Sequence, residues 1–393
     1  MKHFTDFAWI AFPFAAGSAL SCFLPPGAPL GAVCTLSLAA IAFLLLHLHS
    51  GFAEKAELAA LFALSGIFCY CSWALRSITQ APPGTQAAPI EGAAARSVGR
   101  LRSLIDAVPW DDGRCAPLLC ALLTGDRSGL DRATIAAFRE SGASHLLALS
   151  GLHLGFIYLI IRRISLFLPW RGPKAAAIRA AVVVLLCGFY TLMVGAGPSI
   201  VRAFLFICVN EIAGISPSRR RDPGRTLLAA LTIQLAISPG VIGSVGFQLS
   251  YMAMAGIIWI FPHLEAIWPD SRQDSEPDRL PIGPLDAMSR SKSSAGKGWL
   301  LPWKPLQKVW STSALSLSCQ ITTAPLAWHY FHTFPRYFLL TNIISLPLTS
   351  AVMALSIAVL ALSAPGLCPG WLVSLDSRAL TLLIRILDII ALM

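Results

Sequence analysis

The chain has 393 residues, of which 55% are hydrophobic and 13% charged, with a formal net charge of +10 and a mean hydropathy of +0.67. A soluble domain carries roughly 25% charged residues. The composition therefore excludes an ordinary water-soluble module and points to apolar segments near 20 residues, the length that crosses ~30 Å of hydrocarbon as a helix. The excess of Lys and Arg reads first as loop charge that orients a membrane chain, and second as attraction for a polyanion.

Three apolar segments open the chain, Phe7 to Leu24, Leu30 to Leu48 and Leu58 to Leu75, so residues 1–75 read as a three-helix transmembrane region. Asp6 ahead of the first and Pro13 within it argue against a signal peptide. Residues 76–115 read as a linker and an amphipathic helix. Ala81-Pro82-Pro83-Gly84 breaks the chain. Val98, Leu101, Leu104, Ile105 and Val108 then share one helical face, with Arg96, Arg100 and Arg102 around it. Such a helix either lies on a bilayer surface or caps the bundle.

The stretch Ala121 to Tyr158 begins polar, with Asp126, Arg127, Asp131, Arg132, Arg139 and Glu140, then turns apolar while keeping His145, Ser150 and His153. Ionisable groups inside an apolar segment are costly and default to a functional reading. Further segments follow at about Ala176 to Val194, Ser199 to Ile215, Thr226 to Ile237, Phe247 to Phe261, Ser311 to Tyr330 and Tyr337 to Leu362. Trp371 to Leu392 is a weaker one because it holds Asp376, Arg378, Arg385 and Asp388, and it either spans or lies in the interface. The fold expected is all-α, a polytopic transmembrane bundle of about 10–11 helices with broken helices around a central cavity. Residues 116–393 form one domain, and the polar, Pro- and Ser-rich 262–309 is read as a flexible cytoplasmic loop.

Basic turns alternate with bare ones. With the N-terminus in the cytoplasm, the turns near Lys55, Arg171 and Arg220 fall inside, and those near Pro25, Gly195 and Pro239 fall outside, together with residues 76–144.

Several residues carry chemistry of their own. On an ideal helix Ser150 and His153 project about 60° apart and can share a face, the minimum for a nucleophile and base, but no third orienting group is evident. His145 and His153 would lie ~12 Å apart along one helix, too far to ligate a single ion, and no metal or cofactor site is expected. The ten cysteines make no zinc pattern; only Cys115 and Cys120 are candidates to pair. Gly151 and Gly155 make a small-residue face for close helix contact. Gly195 to Pro198, Ser238 to Gly240 and Pro347 interrupt apolar runs, and Arg202, Gln248 and Asn342 stand beside these breaks. Irregular backbone at membrane depth is tolerated where protein or a watery cavity satisfies it. A hydrated path and ordinary helix–helix hydrogen bonding both account for these groups, and for His145, Ser150 and His153.

Ser144-His145-Leu146-Leu147-Ala148-Leu149-Ser150-Gly151-Leu152-His153, preceded by Thr124-Gly125-Asp126-Arg127, resembles the signature of the ComEC-type competence family. Three further blocks match in order. They are Tyr190 to Gly195 with Pro198 to Ala203, Asp222-Pro223 through Ser238-Pro239 with Gly246 to Tyr251, and Thr323 to Leu326 with Tyr330-Phe331, Asn342 and Pro347-Leu348. The resemblance implies an inner-membrane channel that passes incoming single-stranded DNA into the cytoplasm during natural transformation. It implies path residues Asp126, His145, Ser150, His153, Arg202, Gln248 and Asn342. Phe247, Tyr251, Trp328 and Tyr330 are candidates to stack on bases, with lipid or core packing as the alternative. The sequence has no GxxxxGK[ST] motif, so an ATP-driven motor is expected as a separate partner, as are a DNA receptor and a nuclease. Neither the family's oligonucleotide-binding-type insertion nor its metallo-β-lactamase-like domain is recognisable, and a reduced member is expected. A small-solute transporter and a Ser–His intramembrane hydrolase are the rival readings.

The charge alternation makes a direct prediction. In a cysteine-free background, single cysteines replacing Gly27, Pro198 or Gly240 are expected to react with an impermeant thiol reagent from outside, and those replacing Arg171, Arg220 or Ser293 are not. The opposite labelling pattern reverses the orientation.

Overall fold

The computed structural model describes residues 2–24, 28–48, 55–79, 89–147, 151–166, 173–215, 222–267, 303–332 and 337–392, and all regular structure among them is helical. Three helices open the chain: α1 (Lys2–Ser21), α2 (Ala28–Leu48) and α3 (Lys55–Thr79). Four shorter ones follow: α4 (Pro89–Ala107), α5 (Cys115–Thr124), α6 (Arg132–Glu140) and α7 (Ser144–Leu147). Then come α8 (Gly151–Leu166), α9 (Pro173–Met193), α10 (Pro198–Ile215) and α11 (Pro223–Ile237). Last are α12 (Val245–Glu265), α13 (Trp303–Phe331), α14 (Phe338–Ser363) and α15 (Gly370–Ala391).

Every apolar segment expected from the sequence is a helix. Among the described residues four stretches are long and apolar enough to cross a membrane: Leu58–Ser77 in α3, Lys174–Met193 in α9, Val245–Glu265 and Phe338–Ser363. Two expected breaks are real turns. Gly195 and Ala196 take left-handed φ of 86° and 48° between α9 and α10, and a 3₁₀ turn, Pro239–Gly243, separates α11 from α12. Pro347 corrects the third, because α14 runs through it unbroken. The 262–309 loop is also shorter than read: α12 continues to Glu265 and α13 begins at Trp303, with 268–302 outside the described residues. The turns around Pro25, Arg171 and Arg220 and the residue Ser150 likewise lie outside them. The helix expected through the signature is described as two pieces, α7 ending at Leu147 and α8 starting at Gly151.

Packing explains the short helices. Leu118, Leu119 and Leu122 of α5 are fully buried in the largest core, with Val352 and Val359 of α14 and Leu380, Leu383 and Leu387 of α15. Burying each such side chain contributes ~1.5–3 kcal/mol. Ile105 and Val108 join the same core, and α4 packs on α5, α9 and α14. Of its two readings, α4 is therefore the packed cap. Cys115 and Cys120 are unpaired; both lie on α5, where Cys115 Sγ points at the Ser377 carbonyl and Cys120 Sγ at Thr124.

Small residues set the closest helix contacts. A Cβ on Gly17 would fall 2.0 Å from the Ala63 carbonyl oxygen, and one on Gly66 would fall 2.1 Å from that of Phe14. Backbones can approach this closely only where side chains are missing. Ser18 Oγ adds a hydrogen bond to the Gly66 carbonyl at 3.2 Å.

Gly66→Val should therefore drive α1 and α3 apart and sharply lower the amount of protein surviving heating and detergent extraction. Gly99→Ala, with nothing within 4 Å of its Cβ, should leave that amount unchanged or raise it, since Gly costs about 1 kcal/mol against Ala inside a helix. Equal behaviour of the two variants would contradict the close α1–α3 contact.

Candidate functional site

Arg202 sits one turn into α10, four residues after Pro198. It is 8% exposed. One guanidinium nitrogen, Nη1, donates to the Ser250 carbonyl of α12. Its Nε has no hydrogen-bond partner, and Arg202 has no carboxylate partner among the described residues. Its Nη2 lies 3.3 Å from where a Cβ on Gly151 would stand. Gly151, from the signature, thus clears the space the guanidinium occupies. Tyr251 of α12 and Cys319 of α13 are near enough to act on its charge. Among the described residues Arg202 makes no ion pair with Glu211 of the same helix. Tyr158 of α8 donates to Glu211, and Arg162 Nη1 donates to the Tyr158 hydroxyl at 2.8 Å.

A polar tier surrounds this group at one end of α10, α11, α12 and α13. Gln248 Nε2 donates to the Ile242 carbonyl at 2.9 Å, and its Oε1 accepts from the Tyr330 hydroxyl at 2.9 Å. Gln234 Nε2 donates to the Pro198 carbonyl at 3.1 Å, and its Oε1 accepts from Tyr251 at 2.9 Å. Gln234 is buried and the sequence reading missed it, although it is a lone amide in an otherwise apolar run. Asn210 Nδ2 of α10 and Ser316 Oγ of α13 are further buried groups without a hydrogen-bond partner among the described residues.

A second polar seam runs along α14. Thr341 Oγ1 donates to the Ser141 carbonyl at 2.7 Å. Asn342 Oδ1, Ser345 Oγ and Thr349 Oγ1 are buried and have no hydrogen-bond partner among the described residues. His153, itself 1% exposed, meets this helix at a crevice lined by Leu152, His153, Phe156, Thr349, Ser350 and Met353. Ser345 and Thr349 were also missed. Their signal was the four-residue spacing from Thr341, which puts hydroxyls on one helical face.

The remaining candidates are dispersed. Asp126 lies on the α5–α6 connection, 2.7 Å from Arg102 of α4. Hydrogen bonds from Ser128, and then the Arg102 charge, hold its carboxyl below the usual carboxylate range. Its tie to α4 is therefore present above the ordinary carboxylate pKa and is lost as pH falls through the depressed one. His145 is exposed on α7, its Nδ1 3.2 Å from the Gly142 carbonyl. Phe247 is core, packed with Phe14 and Leu235. Tyr251 packs on Phe247 with ring centroids 4.7 Å apart and the planes tilted by 47°. Trp328 is exposed, edge-on to His332 at 6.3 Å. No group of three or more His, Cys, Asp or Glu that could hold a metal occurs among the described residues.

Comparison with known proteins gives relatives but no structural counterpart. Over 138 residues, 35% of the chain, it is 30% identical to ComE operon protein 3 of Bacillus subtilis (strain 168), covering 17% of that protein. Over 301 residues, 74% of the chain, it is 24% identical to Uncharacterized protein YcaI of Escherichia coli (strain K12), covering 34% of that protein. The chain thus corresponds to well under half of either relative's length. No solved structure matches. The family model described as Competence protein matches residues 122–393, which hold Arg202, Gln248 and the whole α14 seam, and the chain belongs to that competence protein family.

Proposed function

We propose that this chain is an inner-membrane channel that passes incoming single-stranded DNA to the cytoplasm during natural transformation. The observation that carries the reading is Arg202. Membership of the competence family supports DNA uptake as the process, and the uncompensated guanidinium supplies a phosphate contact within it. A charged side chain facing lipid costs at least ~2.5 kcal/mol at the centre of a membrane helix and less near its end, where Arg202 sits one turn into α10. One hydrogen bond to a charged group returns about 1.5–3 kcal/mol, so the Ser250 carbonyl offsets much of that cost and leaves other donors to serve a ligand. Guanidinium matches phosphate with paired hydrogen bonds that Lys cannot reproduce.

In this reading the N-terminus is cytoplasmic. The polar tier, with Gln234 bonded to the Pro198 carbonyl and Gln248 bonded to Tyr330, then marks the outer mouth. The α14 seam with His153 offers neutral hydrogen-bonding groups along a second wall. A separate receptor delivers DNA, and a separate nuclease and ATP-driven motor complete the pathway.

Two measurements test this. Arg202→Lys should retain part of the transformation frequency and Arg202→Gln almost none, both at normal membrane level; wild-type frequency in a stably expressed Arg202→Gln strain would refute the phosphate role. Replacing His153 by Ala should leave protein in the membrane while abolishing uptake of labelled DNA. Disappearance of that variant from the membrane would assign His153 to packing instead.

A further inference from the structure

The exposed face of α15 is a single continuous stripe. Its apolar members are Trp371, Leu375, Leu382, Ile389 and Leu392, and Arg378 and Arg385 fill the two positions between them. The steps alternate four and three residues, so the stripe keeps to one side of the helix. The opposite face is fixed in the core: Leu380, Leu383 and Leu387 are fully buried, the Ser356 hydroxyl donates to Asp376 at 2.8 Å, and Ser377 Oγ accepts from the Asp111 backbone at 3.3 Å. The helix therefore cannot roll to hide the stripe.

We propose that this stripe is a docking face for anionic phospholipid, with Arg378 and Arg385 binding headgroup phosphates and the apolar side chains entering the boundary of the acyl region. Three observations favour lipid headgroups. First, α15 is not among the helices long and apolar enough to span. As a span, its arginines would lie ~12 Å and ~22 Å from the helix start, both at hydrocarbon depth, and neither has an ion-pair partner among the described residues. Second, Asp112 and Arg114, an exposed pair at 3.1 Å, lie close enough to interact with Arg385 and Asp388. Charged, exposed groups beside the helix fit an aqueous boundary and not a lipid interior. Third, charge disfavours a second copy of this face. Antiparallel pairing about Leu382 sets Arg378 against Arg385, and parallel pairing sets each arginine against itself. Anionic headgroups complement both arginines, and long side chains of this kind reach the phosphate level while their stems stay on apolar surface.

The test uses the full chain reconstituted in vesicles of phosphatidylcholine with or without phosphatidylglycerol. Nitroxide labels on cysteines replacing Leu375, Leu382 and Ile389, in a cysteine-free background, should report similar depths, about 5–10 Å below the phosphates. Purified protein should retain phosphatidylglycerol over phosphatidylcholine, and the double variant Arg378→Gln/Arg385→Gln should lower that preference about tenfold, each basic residue near an anionic surface contributing to it. Depths graded steadily across the bilayer would overturn the proposal in favour of a span. Spin–spin broadening at Leu382 that vanishes on dilution with unlabelled protein would overturn it in favour of a second copy. Labels found in water, with single-stranded DNA binding lost in the double variant, would overturn it in favour of nucleic acid. An unchanged lipid preference in the double variant would remove the arginines from the site.

Discussion

A buried guanidinium with one carbonyl partner constrains the end at which α10, α11, α12 and α13 meet. Arg202 stays charged at any physiological pH and has five donors to place. The Ser250 carbonyl takes one nitrogen. The elements around it are arranged to admit the rest. Gly151 gives up its side chain where Nη2 sits, and Tyr251 and Cys319 bring weak dipoles where a carboxylate would have closed the charge. Glu211, nine residues along the same helix, is held away by Tyr158 and Arg162. The result is a cation kept available inside an apolar layer, which is unfavourable for stability alone and suited to binding a passing anion.

The two polar seams differ in kind. Around Arg202, amides and phenols pair with each other, Gln248 with Tyr330 and Gln234 with Tyr251. Those pairs tie the ends of α11, α12 and α13 together and fix the frame. Along α14, Asn342, Ser345 and Thr349 leave oxygens unpaired in buried positions. Leaving such a group without a partner costs ~1–3 kcal/mol, so under the proposed function this row is where a hydrogen-bonding ligand would gain most. Under the proposed channel function, a rigid frame beside a hydrogen-bonding row would hold a flexible polymer without trapping it.

The C-terminal helix has a different task. Its inner face supplies much of the largest core, together with α5 and α14, and ties the cap formed by α4 to α7 to that core. Cap and signature are thereby joined: α5 leads through Asp126 to α6 and α7, and Thr341 of α14 holds the Ser141 carbonyl at the entrance to α7.

Hydrophobic runs and their charged turns were sufficient to read every helix from α1 to α3 and from α8 to α15 in the sequence, because a chain that must satisfy its backbone away from water forms helices wherever it is apolar for long enough. The amphipathic face of α4 was legible for the same reason of periodicity. Arg202 stood out because a charge in an apolar run has no local explanation. Whether α4 lay on a bilayer or on the protein was decided only by tertiary packing, since one apolar face suits both. Pro347 looked like a break, yet α14 passes through it, the surrounding helices holding the segment together. The partners of Glu211, the role of Gly151 and the buried Gln234 were likewise out of reach of the sequence. Each depends on which helices are neighbours, and an apolar surface that fits many neighbours does not specify one.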